Sequence, residues 1–259
     1  MKILHRYTGA VLFEDDSGVV QECLQAAIDA GSNLRDSNLS YSSLRGSNLR
    51  GSNLSGSNLS HSDLRYSNLS HSNLSDSNLS YSELNYSDLS HSNLRHSDLS
   101  HSDLSRSNLS DSDLRGSDLS HSNLSDSDLR GSKLSYSDLS HSNLSDSDLS
   151  HSNLRGSNLR GSNLRGSDLS DSNLIGATGN NREIKTIQAG AYTVVYSHDQ
   201  MAIGCEQHSI ADWWQFDDSR IAEMDGKTAL KFWREWKPVL QKIIEISPAT
   251  APEKQEAAA

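Results

Sequence analysis

Cysteine, proline, phenylalanine and long apolar runs are all scarce in this sequence. The two cysteines, Cys23 and Cys205, lie far apart in unlike segments. Disulfide frameworks are denser in cysteine, so both are expected as free thiols. No run of about 18 apolar residues exists, and no charged-then-apolar leader opens at Met1, so no membrane partner is expected and the expected location is cytoplasmic. Positive charge is short as well: 23 Lys and Arg stand against 34 Asp and Glu, a net charge of −11. No continuous basic stripe appears, which argues against direct nucleic-acid binding. No glycine-rich phosphate loop follows a strand and opens a helix, because Gly176-Ala-Thr-Gly179 is too short and lacks Lys. Cys205-x-x-His208 is a half-motif without a partner pair, which argues against zinc. No enzymatic activity and no cofactor are expected.

What fills the space is serine, asparagine, aspartate and leucine. With a mean hydropathy of −0.64, that composition alone would be read as disorder. From Ser32 to Gly176, however, the chain divides into 29 units of five. Leu stands at the centre of every unit, Leu34 to Leu174, and Ser stands two residues before it, Ser32 to Ser172. A fixed period of this kind marks a repeat architecture. Period five suits neither regular element. Successive leucines would advance about 140° beyond a full helical turn, and an odd spacing would alternate faces of a flat strand. The chain must turn a corner every five residues, so that four units close a square coil. Coils stacked about 4.8 Å apart give a rod of about seven coils, roughly 35 Å long.

The pattern Ser, Asn or Asp, Leu and two variable residues resembles the pentapeptide-repeat family over Ser32 to Gly176. The resemblance implies a β solenoid, specifically a right-handed quadrilateral β-helix with the Leu and the small residue facing inward. The family's inward small position is usually led by Ala and here is always Ser. These buried hydroxyls are expected to bond backbone carbonyls or one another. The central residue is never Phe, so a uniform bore and a straight rod are expected. Such regularity suits recent repeat expansion or a consensus-designed segment, and the residues leave both open.

Outside the repeats, residues 1–31 read as a β-hairpin around Thr8-Gly9 and a helix from Asp16 or Ser17 to about Ala30. The helix places Val20, Cys23, Leu24, Ala27 and Ile28 on one face as a lid over Leu34 and Leu39. Residues 177–246 read as an α+β domain. Two or three strands are expected between Glu183 and Gly204, then a helix capped by Ser209 and Asp212, and a short helix from Asp218 or Ser219. A longer helix follows from Lys227, kinked or restarted at Pro238. The tail 247–259 is expected to be disordered. All four Trp lie in this segment, and Trp213, Trp214, Trp233 and Trp236 are candidates for docking a protein partner or a second copy as a homodimer. The arrangement is similar to pentapeptide proteins encoded by phages and prophages.

Reading at a stride of twenty shows each face of the rod. The Leu39 face carries the column Tyr41, His61, Tyr81, His101, His121 and His141 beside Asp98, Asp118 and Asp138. Basic residues collect on the Leu34 and Leu44 faces instead. Imidazoles one coil apart could share a divalent ion, but no third ligand type converges, and a solvated ladder of stacked rings is expected. Protonating such a column is self-repelling, so this face should lose stability below about pH 6. A thermal melt that stays flat from pH 8 to pH 5 would contradict that. The best functional expectation is a structural, protein-binding rod. Some members of the family mimic DNA on gyrase, which makes a type II topoisomerase an alternative partner. About 20 charges on a 35 Å duplex set against 17 acidic and 12 basic residues in the repeats confine mimicry to the Leu39 face.

Overall fold

The computed structural model describes residues 1–251. Residues 32–178 wind into a solenoid in which each residue lies above the one twenty positions earlier. Parallel bridges join Asn38 to Asn58, Asn58 to Asn78 and so on, ending at Asn158 to Thr178. The amide of each Leu donates to the coil above (Leu99 N to Asp118 O, 2.7 Å), and the residue above returns a bond (Asp118 N to Ser97 O, 3.0 Å).

The corner has a specific cause. The Leu carbonyl accepts from the amide of the Ser three residues on, as in Ser102 N to Leu99 O at 3.3 Å. The residue two after Leu has φ between +53° and +73° in all 29 units, while the residue after Leu does not. That combination is a type II turn. Gly, Asp, His, Tyr and one Arg fill the positive-φ position, and no β-branched residue does. Ahead of each Leu, the Asn or Asp Oδ1 accepts from the amide two residues on, as in Ser100 N to Asp98 at 3.0 Å. This Asx bond holds the strand ready for the bend. Only Ser43, Glu83 and Lys133 depart from Asn or Asp there.

The bore is filled as the period requires. Every central Leu is buried except the partly exposed Leu169. From Ser47 onward every inward Ser is buried too. The hydroxyls donate to Leu carbonyls of their own coil (Ser157 to Leu154, 2.7 Å) or the coil before (Ser97 to Leu74, 2.7 Å). Ser37 donates to Ser57 Oγ at 2.9 Å. Among the described residues, Ser47, Ser52, Ser132 and Ser152 Oγ are buried without a partner.

Each open end is covered. At the first coil, strands β1 (Lys2–His5) and β2 (Val11–Glu14) form a hairpin. β1 also pairs with β3 (Ser37–Asn38), which occupies the first strand edge. Helix α1 (Val20–Asp29) packs Cys23, Leu24 and Ala27 into the same core as Leu34 and Leu39. Its N-cap, Val19, lies two or three residues beyond the expected cap at Asp16 or Ser17. Ser17 instead donates its hydroxyl to Asp15 (2.7 Å) and to the Val19 carbonyl (3.1 Å), and Val19 supplies no side-chain cap.

Beyond the last coil lies a four-stranded antiparallel meander: β4 (Lys185–Ala189), β5 (Tyr192–Tyr196), β6 (Gln200–Ile203) and β7 (Glu206–Ser209). β7 is a strand the sequence reading missed, since Glu-Gln-His-Ser has no apolar alternation. Its pairing row Thr186–Val195–Ala202–Gln207 faces the rod. Val195 and Ala202 join the leucine core, with Ile184 beside them. The Gln207 amide imitates the missing next coil: its Oε1 accepts from Leu174 N (2.9 Å) and its Nε2 donates to Ser172 O (2.7 Å).

The opposite face of the sheet (Val194, Tyr196, Met201 and Ile203) packs on helices α2 (Ile210–Gln215) and α3 (Asp218–Ile246). Ser209 caps α2 by accepting from Asp212 N at 3.0 Å, as its spacing predicts. Asp217, one residue before the expected start, caps α3. The backbone of α3 breaks at Asp225 and Gly226 (φ +57° at Gly226) and continues helically through Pro238, so the helix does not restart there. The first part of the expected disordered tail is held in place. Lys185 Nζ donates to Ser247 Oγ (2.7 Å), Tyr196 OH to Ser247 O (2.9 Å) and Thr250 N to Arg182 O (3.0 Å). Residues 252–259 lie outside the described residues.

Candidate interaction face

Because every corner residue sits at the same φ, side chains one coil apart leave the backbone in parallel and land on one another. On the corner after the Leu39 face, Tyr41, His61, Tyr81, His101, His121 and His141 form one continuous stack. Successive centroids are 4.7 to 5.0 Å apart and successive planes are within 9° of parallel. Five such steps of about 4.8 Å span roughly 24 Å. The stack stops at Gly161, where a Cβ would stand 2.6 Å from His141 Nδ1. The rings are exposed, Tyr41 by 76% and Tyr81 by 53%.

The stacking speaks against a shared metal ion. Imidazole lone pairs lie in the ring plane, so parallel rings aim them side by side rather than at one point. Among the described residues, no group of three or more His, Cys, Asp or Glu could hold an ion.

Asp98, Asp118 and Asp138 are brought together as neighbours in one ladder on the adjoining flat face. Each accepts from a backbone amide two residues on, at 2.9 to 3.0 Å, and Asp98 also accepts from Ser100 Oγ at 2.6 Å. Asn158 Nδ2 donates to Asp138 at 3.1 Å. Among the described residues, no arginine or lysine forms an ion pair with these three. Three other aspartates of the repeats are paired within their own unit. Arg65, Arg115 and Arg130 each form a fork with the Asp two residues before, as in Arg65 Nε and Nη2 on Asp63 at 2.9 and 2.7 Å. Those bonds hold Asp63 and Asp128 below the usual carboxylate range. For Asp113, burial pushes upward, and the bonds from Arg115 outweigh it. The three paired Asp precede Leu-Arg in sequence, whereas Asp98, Asp118 and Asp138 precede Leu-Ser. That difference is readable in the sequence.

Smaller stacks occupy other corners. Tyr66 and Tyr86 stack at 5.0 Å, with Arg45 over the first and Arg106 over the second. His71 and His91 stack at 4.9 Å.

The expected docking residues are placed differently. Trp213 and Trp233 are 2% and 3% exposed, so they belong to the core of the C-terminal unit and do not project from its outer surface. Trp213 Nε1 donates to Met201 O at 2.6 Å. Trp214 stacks on Trp233 and Trp236 on Phe232, both half-buried. A small domain with one sheet and two helices needs this aromatic volume for its own core. Cys205 is exposed at the β6–β7 turn, while His208 packs edge-on against Trp213 and Phe216. Both cysteines are free. Among the described residues, no helix is long and apolar enough to cross a membrane.

A family model described as pentapeptide repeats matches this chain in 8 copies, over residues 32–70, 72–111, 107–146 and 142–178. Among solved structures, HetL, a pentapeptide repeat protein involved in heterocyst differentiation regulation in the cyanobacterium Nostoc sp. strain PCC 7120, is 27% identical. The match covers 56% of this chain and 78% of HetL, with a TM-score of 0.29. Rfr23 from the cyanobacterium Cyanothece 51142 is 30% identical over 40% of this chain and 61% of its own, with a TM-score of 0.25. QnrB1, a plasmid-mediated fluoroquinolone resistance protein, is 17% identical over 51% of this chain and 90% of its own, with a TM-score of 0.33. A search of curated protein sequences finds no significant match.

Proposed function

Since the chain belongs to the pentapeptide-repeat family and has its fold, a right-handed quadrilateral β-helix, we propose that it is a non-catalytic protein-binding rod whose recognition surface is the ring-lined corner and the aspartate row beside it. The observation that carries this reading is the unbroken stack from Tyr41 to His141. Exposed aromatic rings held rigid before binding lose little conformational entropy in a complex, and tyrosine is enriched where proteins meet. The unpaired Asp98, Asp118 and Asp138 add a negative row that favours a partner with basic residues opposite.

The test replaces Tyr81, His101, His121 and His141 by Gly, the residue that already fills nine of the corners. The variant keeps its solenoid, and partner capture in co-purification is expected to fall at least about tenfold. Capture at the wild-type level would refute the reading.

A second reading, mimicry of DNA on a type II topoisomerase, is favoured by the same uncompensated aspartates. Inhibition of gyrase supercoiling by the wild type, abolished in D98N/D118N/D138N, would promote it over the first.

A further inference from the structure

The C-terminal unit holds a cavity of about 290 Å³ on the side of the sheet away from the rod. Four aromatic residues line it, Tyr192, Trp213, Phe232 and Trp233, together with the acidic Glu206 and Asp225. Among the described residues, no lysine, arginine or histidine lines it. Tyr192 meets Phe232 edge-on at 4.8 Å and 75°, and Trp213 tilts 41° from Trp233 at 5.3 Å. The faces of aromatic rings attract cations.

The charge of the site points the same way. The Tyr192 hydroxyl donates to Asp225 at 2.5 Å. Burial first, and Asp225 second, push the Tyr192 phenol up to about 12, so the hydroxyl remains a donor to the Asp225 carboxylate. Glu206 lies 3.3 Å from His208 Nε2, its only ion-pair partner among the described residues. The one lysine on these rings, Lys237 over Trp233 at 5.2 Å, is tied to the Trp214 carbonyl at 2.9 Å and does not line the cavity. A separate hollow beyond Tyr192 and Phe232 carries Lys227 and Lys231 and so differs in charge from this cavity.

We infer that the cavity between the sheet and the break in α3 binds a small organic cation, an ammonium group on an apolar body, with the rings taking the body and Glu206 and Asp225 the charge. Its volume sits at the lower end of ligand pockets, about 300 to 1,000 Å³, and fits a single ring with an alkylammonium arm. A free amine and the side chain of a methylated lysine share this chemistry. The inference is independent of the rod's recognition surface.

The test titrates the full chain with benzyltrimethylammonium and, separately, with phenylmethanesulfonate, which offers the same ring with the opposite charge. Tryptophan emission is followed to about 10 mM, and the cation is expected to saturate at least tenfold tighter than the anion, or 1.4 kcal/mol. In E206Q/D225N that preference should vanish. In A229L, where a larger side chain fills the cavity lined by Ala229, saturable binding should vanish while the melting temperature holds. A trimethyllysine peptide that displaces the probe assigns the cation to a protein side chain, and failure to displace it assigns a free amine. Equal affinity for the two ions, no saturable response to either, or an unchanged preference in E206Q/D225N would each overturn the proposal.

Discussion

Corner residues carry a constraint that the word "variable" hides. A β-branched side chain at φ near +57° clashes with its own backbone, at a cost of about 1–2 kcal/mol. Tyr81→Val, at a corner with φ +58°, is therefore expected to destabilise by at least that amount, while Tyr81→Asn falls within about 1 kcal/mol of wild type. Chemical denaturation decides, and equal stability of the two variants would contradict the turn assignment. The bore offers a matched pair of a different kind. Ser97 donates to Leu74 O at 2.7 Å, whereas Ser47 Oγ is buried without a partner. Ser97→Ala should cost about 1 kcal/mol, and Ser47→Ala should be neutral or stabilising, since it removes an unmet hydroxyl. At this scale the sequence announced the inward Leu and Ser, because strict periodicity leaves them no other place. The positive-φ rule was also written there, in the absence of Val, Ile and Thr from 29 corners.

Among elements, the terminal sheet matters more to the rod than its sequence implies. Val195 and Ala202 belong to the leucine core, and Gln207 closes the last coil with two backbone bonds. Gln207→Ala leaves Leu174 N and Ser172 O without those partners and should cost about 1–3 kcal/mol, read as a lower melting temperature. Removal of residues 177–251 should expose the last leucines and produce self-association in light scattering, rather than leave an intact solenoid. The role of Gln207 was not legible because a polar residue in an unpatterned strand shows its purpose only once the register is known. The burial of Trp213 and Trp233 was hidden for a related reason: composition reports four tryptophans and not which side of a sheet they cover.

The arginine forks bring a pH dependence at the same scale. Asp63, Asp113 and Asp128 have folded-state affinities for protons below the unfolded value. Their contribution is therefore complete above the unfolded pKa, near 3.9, and is lost as the pH falls through the depressed folded values. The pairs are partly exposed, with aspartate side chains 19 to 28% accessible, so each contributes at most about 1 kcal/mol. D63N/D113N/D128N should melt a few degrees below wild type at pH 7, and the gap should close as the pH falls through the depressed folded values. A gap that persists undiminished in acid would rule out this origin.

Taken whole, the molecule is a rod with unlike corners. One carries six stacked rings beside unpaired aspartates; the diagonal corner, after the Leu49 face, runs Gly51, His71, His91, Asp111, Gly131, His151 and Asp171 and is interrupted by glycine. The columns were legible in the sequence once it was read at a stride of twenty. The stacked ladder followed from the same columns; its near-parallel planes were not legible, since they depend on a shared φ that no composition reveals. The most direct measurement places a photo-crosslinking benzoylphenylalanine at position 101 in one protein and at position 111 in another, both corners with φ near +57° and both able to hold an aromatic ring. The account predicts that one protein partner is captured from position 101 and that position 111 captures little or none of it. Equal capture from the two corners, or capture from position 111 alone, would contradict it.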